Sequence, residues 1–233
     1  MGKNSIYELL HFNSSQILCV YTCQKEGELI RELNKKKVKI SFASKQKLTS
    51  LAGSDSHQSY VAEIKSRSVS NLKTFLQEDK ERSLVVICDS ITDPQNFGAI
   101  MRASECFGAD ALIWSKNRNV GITPVVSKVS AGASELLTLI PVSNLGDSVR
   151  QCQKEGYFVI ALEKRASSES IHSFTFPRKT AIILGSEGKG IQPLLSKNAD
   201  AHIEIPMHGR IDSLNVSQAT AACLAAYWIH QDD

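Results

Sequence analysis

Residues 84–108 read LVVICDSITDPQNFGAIMRASECFG, and this stretch decides the fold. Residues 84–88 form a continuous apolar run, the pattern of a strand buried on both faces. Asp93 and Pro94 supply an N-cap and a first helical residue. A helix over 96–107 follows and stops at Gly108, a natural C-terminal glycine. Strand, turn and helix in this order are the repeating unit of an α/β protein.

The same rhythm continues downstream. Strands are predicted at 111–114, 136–142, 157–162, 180–184 and 202–205. Helices are predicted at 123–130, 144–155, 191–198 and 215–231. Strands alternating with helices predict a mostly parallel sheet covered on both faces. Upstream, SIYELLHF and GELIRELNKKK read as helices, and SQILCVYTC, KVKISFAS and QSYVAEIK as strands. That is a small α/β module. Between the two lies SRSVSNLKTFLQEDKERS, polar and of mixed charge, with one short apolar face at Leu72, Phe75 and Leu76. The expected organisation is therefore a module at 1–66, a linker at 67–83 and a larger domain at 84–233.

Of the 233 residues, 42% are hydrophobic and 22% charged, enough apolar material for a buried core and too much for wholesale disorder. No run approaches the ~20 apolar residues that span a bilayer. The first fifteen residues lack the apolar core and cleavage site of a secretory signal. Six cysteines are scattered without paired CxxC motifs. This argues against a zinc site or disulfide framework, leaves no metal expected, and points to a reducing cytoplasm. Residues 1–82 hold 14 basic and 9 acidic side chains, the remainder 13 and 15, so the first third alone is basic. The excess is densest in RELNKKKVKISFASKQK (31–47), with seven basic residues against Glu32. Such a patch attracts polyanions, although a solvated loop would look the same.

In open α/β sheets, sites lie beyond the carboxyl ends of strands. Three segments there are rich in Gly, Asn, Ser and charge: 89–108, ILGSEGKGI (183–191) and IPMHGRIDSLNVSQATAA (205–222). The spacing of Gly185, Gly188 and Gly190 matches no phosphate-loop pattern, and Glu187 at the tip would repel a pyrophosphate. The loop suits a neutral or cationic ligand, or it is a tight turn with none. Asn96 and Arg102 are six positions apart, roughly 600° of helical rotation, so they converge only if Asn96 belongs to the pre-helical turn. Arg102 reads either as a fork for phosphate or as the partner of a carboxylate such as Asp89. Ser213 and Asn215 offer N-capping side chains. The last helix is more apolar than one sheet face needs, which suggests a second subunit.

Together the three segments resemble the SpoU family of RNA ribose 2′-O-methyltransferases. The residues are Asp93, Pro94, Asn96, Gly98 and Arg102; Leu-Gly-Ser-Glu-Gly-Lys-Gly at 184–190; and Ile-Pro-Met at 205–207 with Asp-Ser-Leu-Asn-Val-Ser at 212–217. KVSAGASELL (128–137) and the N-terminal module look like the branch that modifies a guanosine of large-subunit ribosomal RNA. That branch carries His-Gln-Gly near the end of the module, whereas this chain has His57, Gln58 and Ser59.

The resemblance implies a C-terminal trefoil knot, which general topology rules would exclude. It implies an L30-like RNA-binding module and a homodimer with sites at the interface. S-adenosylmethionine would sit at Leu184, Gly185, Ile205, Met207 and Leu214. The catalytic set would be Asn96, Arg102, Glu187, Ser213 and Asn215. The expected substrate is 23S rRNA or an assembling large subunit. The same chemistry on tRNA, or a non-catalytic role in ribosome assembly, is the alternative. A nicotinamide oxidoreductase is disfavoured by the missing GxGxxG.

Overall fold

A computed structural model describes residues 3–53, 55, 57–65 and 70–229. The N-terminal part contains helix α1 (Lys3–Asn13), strand β1 (Ile17–Thr22), α2 (Glu28–Lys35), β2 (Ile40–Phe42), α3 (Lys45–Ala52) and β3 (Tyr60–Ile64). Next come α4 (Leu72–Leu76), β4 (Ser83–Cys88), α5 (Pro94–Cys106), β5 (Ala111–Ser115), α6 (Pro124–Val129), α7 (Ala133–Leu136) and β6 (Thr138–Val142). The chain continues through α8 (Leu145–Lys154), β7 (Phe158–Leu162), β8 (Glu169–Ser170), β9 (Lys179–Leu184), α9 (Pro193–Asn198), β10 (Ala201–Glu204) and α10 (Val216–Ile229). These elements form two compact units: Met1–Ser68 with Ile122–Leu136, and Val69–Gly121 with Leu137–Asp233.

In the first unit, β1 pairs parallel with β2 and antiparallel with β3. Leu29, Ile30 and Leu33 line one face of α2 and are buried with Ile6, Leu9 and Leu10 of α1 against Val20, Tyr60 and Ala62 of the sheet. The polar face of α2 turns outward, as its apolar spacing requires. All seven basic residues of 31–47 are exposed. Helix α3 lies in a stretch for which the sequence predicts no element. Its N-cap Ser44 accepts from the Lys47 N–H and Gly53 closes it in the left-handed region, but Leu48 alone is buried, so no apolar period marks it.

Gln58 and Ser59 both have positive φ, 52° and 68°. The Ser59 N–H donates to His57 Nδ1 at 3.1 Å, and its carbonyl accepts from Thr22 Oγ1 at 2.8 Å. The backbone of Ser59 is thus locked where glycine fits best, which gives a physical reason for glycine in the His-Gln-Gly pattern. Relief of a left-handed side chain, roughly 1–2 kcal/mol, outweighs the extra chain entropy of glycine, roughly 0.5–1 kcal/mol. Ser59→Gly is therefore expected to raise the thermal midpoint by roughly 2 °C, measurable by calorimetry.

The second unit is a seven-stranded sheet of order β6-β5-β4-β9-β7-β10-β8, parallel at every pairing. Strand alternation sends Val85, Ile87, Ile113, Val159 and Ile183 to one face, where α4, α8 and α9 cover them. Trp114 points to the other face and meets Phe97 of α5 edge to face, with centroids 5.6 Å apart. Helix α10 packs on α5. Within the expected linker, α4 buries Leu72, Phe75 and Leu76 in the core of this unit and leaves Lys73 and Thr74 exposed. The strand expected at 136–142 starts two residues later, because Ala133–Leu136 is a helical turn whose leucine runs straight into the strand's apolar pattern. The short edge strand β8 was not foreseen.

Burial pushes the thiols of Cys88, Cys152 and Cys223 up, the last two to about 12, so none of the three is a nucleophilic thiolate near neutrality. Among the described residues, no helix is long and apolar enough to cross a membrane.

Candidate active site

The three polar segments leave the carboxyl ends of β4, β9 and β10. The sheet order sets β9 beside β4, so the first two emerge side by side. Each is shaped by its own local chemistry before it meets the others.

At the first, the Asp93 carboxylate accepts from the N–H groups of Gln95 and Asn96 at 3.1 and 3.2 Å. Pro94 occupies the first helical position. Asn96 therefore sits in the first turn of α5, not in a turn before it. This corrects the condition set for convergence with Arg102: the two side chains are about 120° apart around the helix. Arg102 is exposed. Nor does it pair with Asp89. That carboxylate is fully buried and accepts from the Gln192 backbone N–H at 2.7 Å, from the Gln192 side-chain amide, and from Ser90 Oγ at 3.0 Å. Asp89 thus ties the start of α9 to the end of β4.

At the second, the chain after β9 folds back on itself. Ser186 and Gly190 form an antiparallel bridge, with N–H to carbonyl distances of 3.1 and 2.9 Å. Gly188 and Gly190 hold φ at 81° and 66° to close it. A Cβ on Gly185 would lie 2.3 Å from the Gly190 carbonyl carbon and 2.4 Å from the Ile191 nitrogen. Close approach of chain to chain therefore requires this glycine, independently of any ligand.

At the third, Asn215 caps α10: its Oδ1 accepts from the Ser217 N–H at 2.9 Å and from Ser217 Oγ at 2.6 Å. Its Nδ2 donates to Asn96 Oδ1 at 2.9 Å and to Glu187 Oε1 at 2.5 Å. Asn96 Nδ2 donates to the same Glu187 oxygen at 3.1 Å. One residue from each segment thus closes a triangle in which every donor has an acceptor. Asn96 and Asn215 are 119 positions apart in the chain.

Beside the triangle lies a cavity of about 740 Å³, lined by Leu184, Gly185, Glu187, Ser213, Leu214 and Asn215 among others. Ile205 and Met207 are half-buried on the loop after β10 and are not among its lining residues. Glu163, which also lines it, escaped the sequence reading. The available signal was its place: the first charged residue after a buried strand, at a carboxyl end of the sheet. Lys164 lines the cavity next to it.

A parallel sheet that brings two asparagines and a glutamate together over a cofactor-sized cavity defines an α/β ligand-binding protein of enzyme type. The chain belongs to the SpoU rRNA Methylase family, whose model it matches over residues 83–225. Residues 1–69 match the family described as RNA 2′-O ribose methyltransferase substrate binding. The chain is 36% identical over 188 residues to the 23S rRNA (guanosine-2′-O-)-methyltransferase RlmB of Ralstonia nicotianae, covering 80% of this chain and 75% of that one. It is 33% identical to the RlmB of Shewanella oneidensis, covering 96% and 93%. Its fold is similar to that of the SpoU methyltransferase AviRb from Streptomyces viridochromogenes, solved in complex with the cofactor AdoMet. The TM-score is 0.83 and the identity 20%, over all of this chain and 90% of that one.

Proposed function

We propose that this protein transfers a methyl group from S-adenosylmethionine to the ribose 2′-oxygen of a guanosine in 23S rRNA. The observation that carries the reading is the Asn96–Glu187–Asn215 triangle at the cavity, because it joins all three family segments in one place. Two similar proteins named for this activity, each matched over three quarters of its length or more, support the choice of substrate.

The residues present fit the cofactor. The cavity volume falls in the usual range of roughly 300–1,000 Å³ for small-molecule sites. Its lining carries Glu163 and Glu187 beside Lys164 and Lys189, so carboxylates are at hand for the cationic groups of the ligand. When bound, S-adenosylmethionine supplies a methyl group on a sulfonium centre. Leu184, Gly185 and Leu214, which line the cavity, would hold it, with Ile205 and Met207 on the same loop that leads to Leu214. The triangle fixes the loop 186–190 against α5 and α10, so this wall of the cavity is preorganised. Ser213 would orient the ribose. The 2′-hydroxyl must lose its proton, which passes to solvent water as the oxygen–methyl bond replaces the sulfur–methyl bond. Arg102 would assist by clamping a neighbouring phosphate, since its positive field lowers the hydroxyl pKa. A guanidinium is itself a poor base.

The exposed basic surface of the first unit would hold the RNA nonspecifically. A homodimer belongs to this reading: α10 is apolar all round from Ala221 to Ile229, and Ile229 is still two-thirds exposed. So do a cytoplasmic location and a trefoil knot in the last part of the chain.

The test is transfer of labelled methyl from S-adenosylmethionine to ribosomal RNA lacking the modification. Label should appear at one guanosine, and that position should resist alkaline cleavage, which needs a free 2′-hydroxyl. Label on a base, or none on 23S rRNA, would overturn the assignment.

A further inference from the structure

Glu163 stands at the carboxyl end of β7 and lines the cavity, yet none of the three family segments contains it. Its side chain is 17% exposed. One oxygen, Oε1, carries every contact: Arg165 Nε at 3.1 Å, His202 Nε2 at 3.3 Å, and the Ser196 hydroxyl. Its main chain is fixed as well. The Glu163 N–H donates to the Ile203 carbonyl at 3.0 Å, and the Glu163 carbonyl accepts from Ser168 Oγ at 2.8 Å. A carboxylate that accepts from the Ser196 hydroxyl at one oxygen, and pairs there with Arg165, is preorganised and cannot swing to solvent without losing both. Its other oxygen, Oε2, has no hydrogen-bond partner among the described residues.

We infer that Oε2 of Glu163 accepts a hydrogen bond from a ribose hydroxyl of the adenosine part of the cofactor. This rests on the cofactor reading above and deepens it. An ionised carboxylate only accepts, so it selects a donor on the ligand and rejects phosphate. β7 lies two strands from β4, on the far side of β9, about 10 Å at the usual strand spacing. The reacting end belongs beside Asn96, at β4. The remote adenosine half is therefore what reaches β7. An acidic residue beyond a strand end is a general device of α/β sheets for holding a ribose hydroxyl. Arg165, Ser196 and His202 then act as positioning residues for Glu163.

The test is calorimetric binding of S-adenosylhomocysteine and of its 2′-deoxy and 3′-deoxy counterparts, which needs no turnover. Glu163→Ala should weaken the parent ligand about 10- to 100-fold, as loss of a hydrogen bond to a charged group does. One deoxy ligand should bind the unsubstituted protein correspondingly weakly and lose nothing further on substitution. Glu163→Gln keeps the volume, guards against a folding defect in the alanine variant, and should show the same pattern at smaller amplitude. Unchanged affinity, or an equal loss for all three ligands, would overturn the role of Glu163 alone. No binding of any adenosyl ligand to the unsubstituted protein would overturn the cofactor reading and this inference with it.

Discussion

Gly185→Ala should abolish cofactor binding while leaving the sheet folded. The added Cβ would sit 2.3–2.6 Å from three backbone atoms of Gly190 and Ile191, none of which can rotate away as a side-chain end would. Relief requires opening the Ser186–Gly190 bridge. That releases Glu187, and with it the two hydrogen bonds through which Asn96 and Asn215 reach the loop. Clash, two bridge hydrogen bonds and a half-empty triangle together exceed the roughly 4 kcal/mol that separates tight from negligible binding by a factor of about 10³. Calorimetry with S-adenosylmethionine should show no heat, with far-ultraviolet dichroism unchanged. Gly188→Ala is the informative contrast. No atom lies within 4 Å of its added Cβ, so the variant meets only the strain of φ 81° and should bind with a modest deficit. Equal behaviour of the two variants would show that the close approach at Gly185 is not what holds the loop.

What the sequence discloses here follows from the range of the interactions involved. Strand, cap and helix at 84–108 are local, so Asp93, Pro94 and Gly108 spell them out directly. Helix α3 is capped just as clearly by Ser44 and Gly53, but buries only Leu48, and a helix that buries one residue leaves no period to read. The triangle is different in kind. Nothing near Asn96 says that it will meet a residue 119 positions later, because that depends on β9 inserting beside β4. Only the joint occurrence of three segments pointed there. Glu163 is legible only as a charge at a strand end: its neighbours Ser196 and His202 are distant in the chain, and the cavity it lines exists only once the sheet is assembled. The structure also decides a division of labour that spacing left conditional. Asn96 faces the loops, and Arg102, further along α5, faces elsewhere.

That separation shapes the second large effect. Arg102→Ala is expected to lower turnover by about 10²–10³-fold, the usual result of removing one donor that stabilises developing charge. Cofactor affinity should stay within about twofold, because Arg102 does not line the cavity. If its work is to clamp a phosphate, the variant should also bind RNA with a salt slope smaller by about one unit. Arg102→Lys then distinguishes charge from shape. A point charge on a flexible stem keeps the electrostatic effect on the 2′-hydroxyl and loses the bidentate fork, so a partial recovery in turnover assigns the remainder to geometry. Recovery to full activity would make the fork irrelevant. Retention of full activity in the alanine variant would remove Arg102 from the reaction altogether.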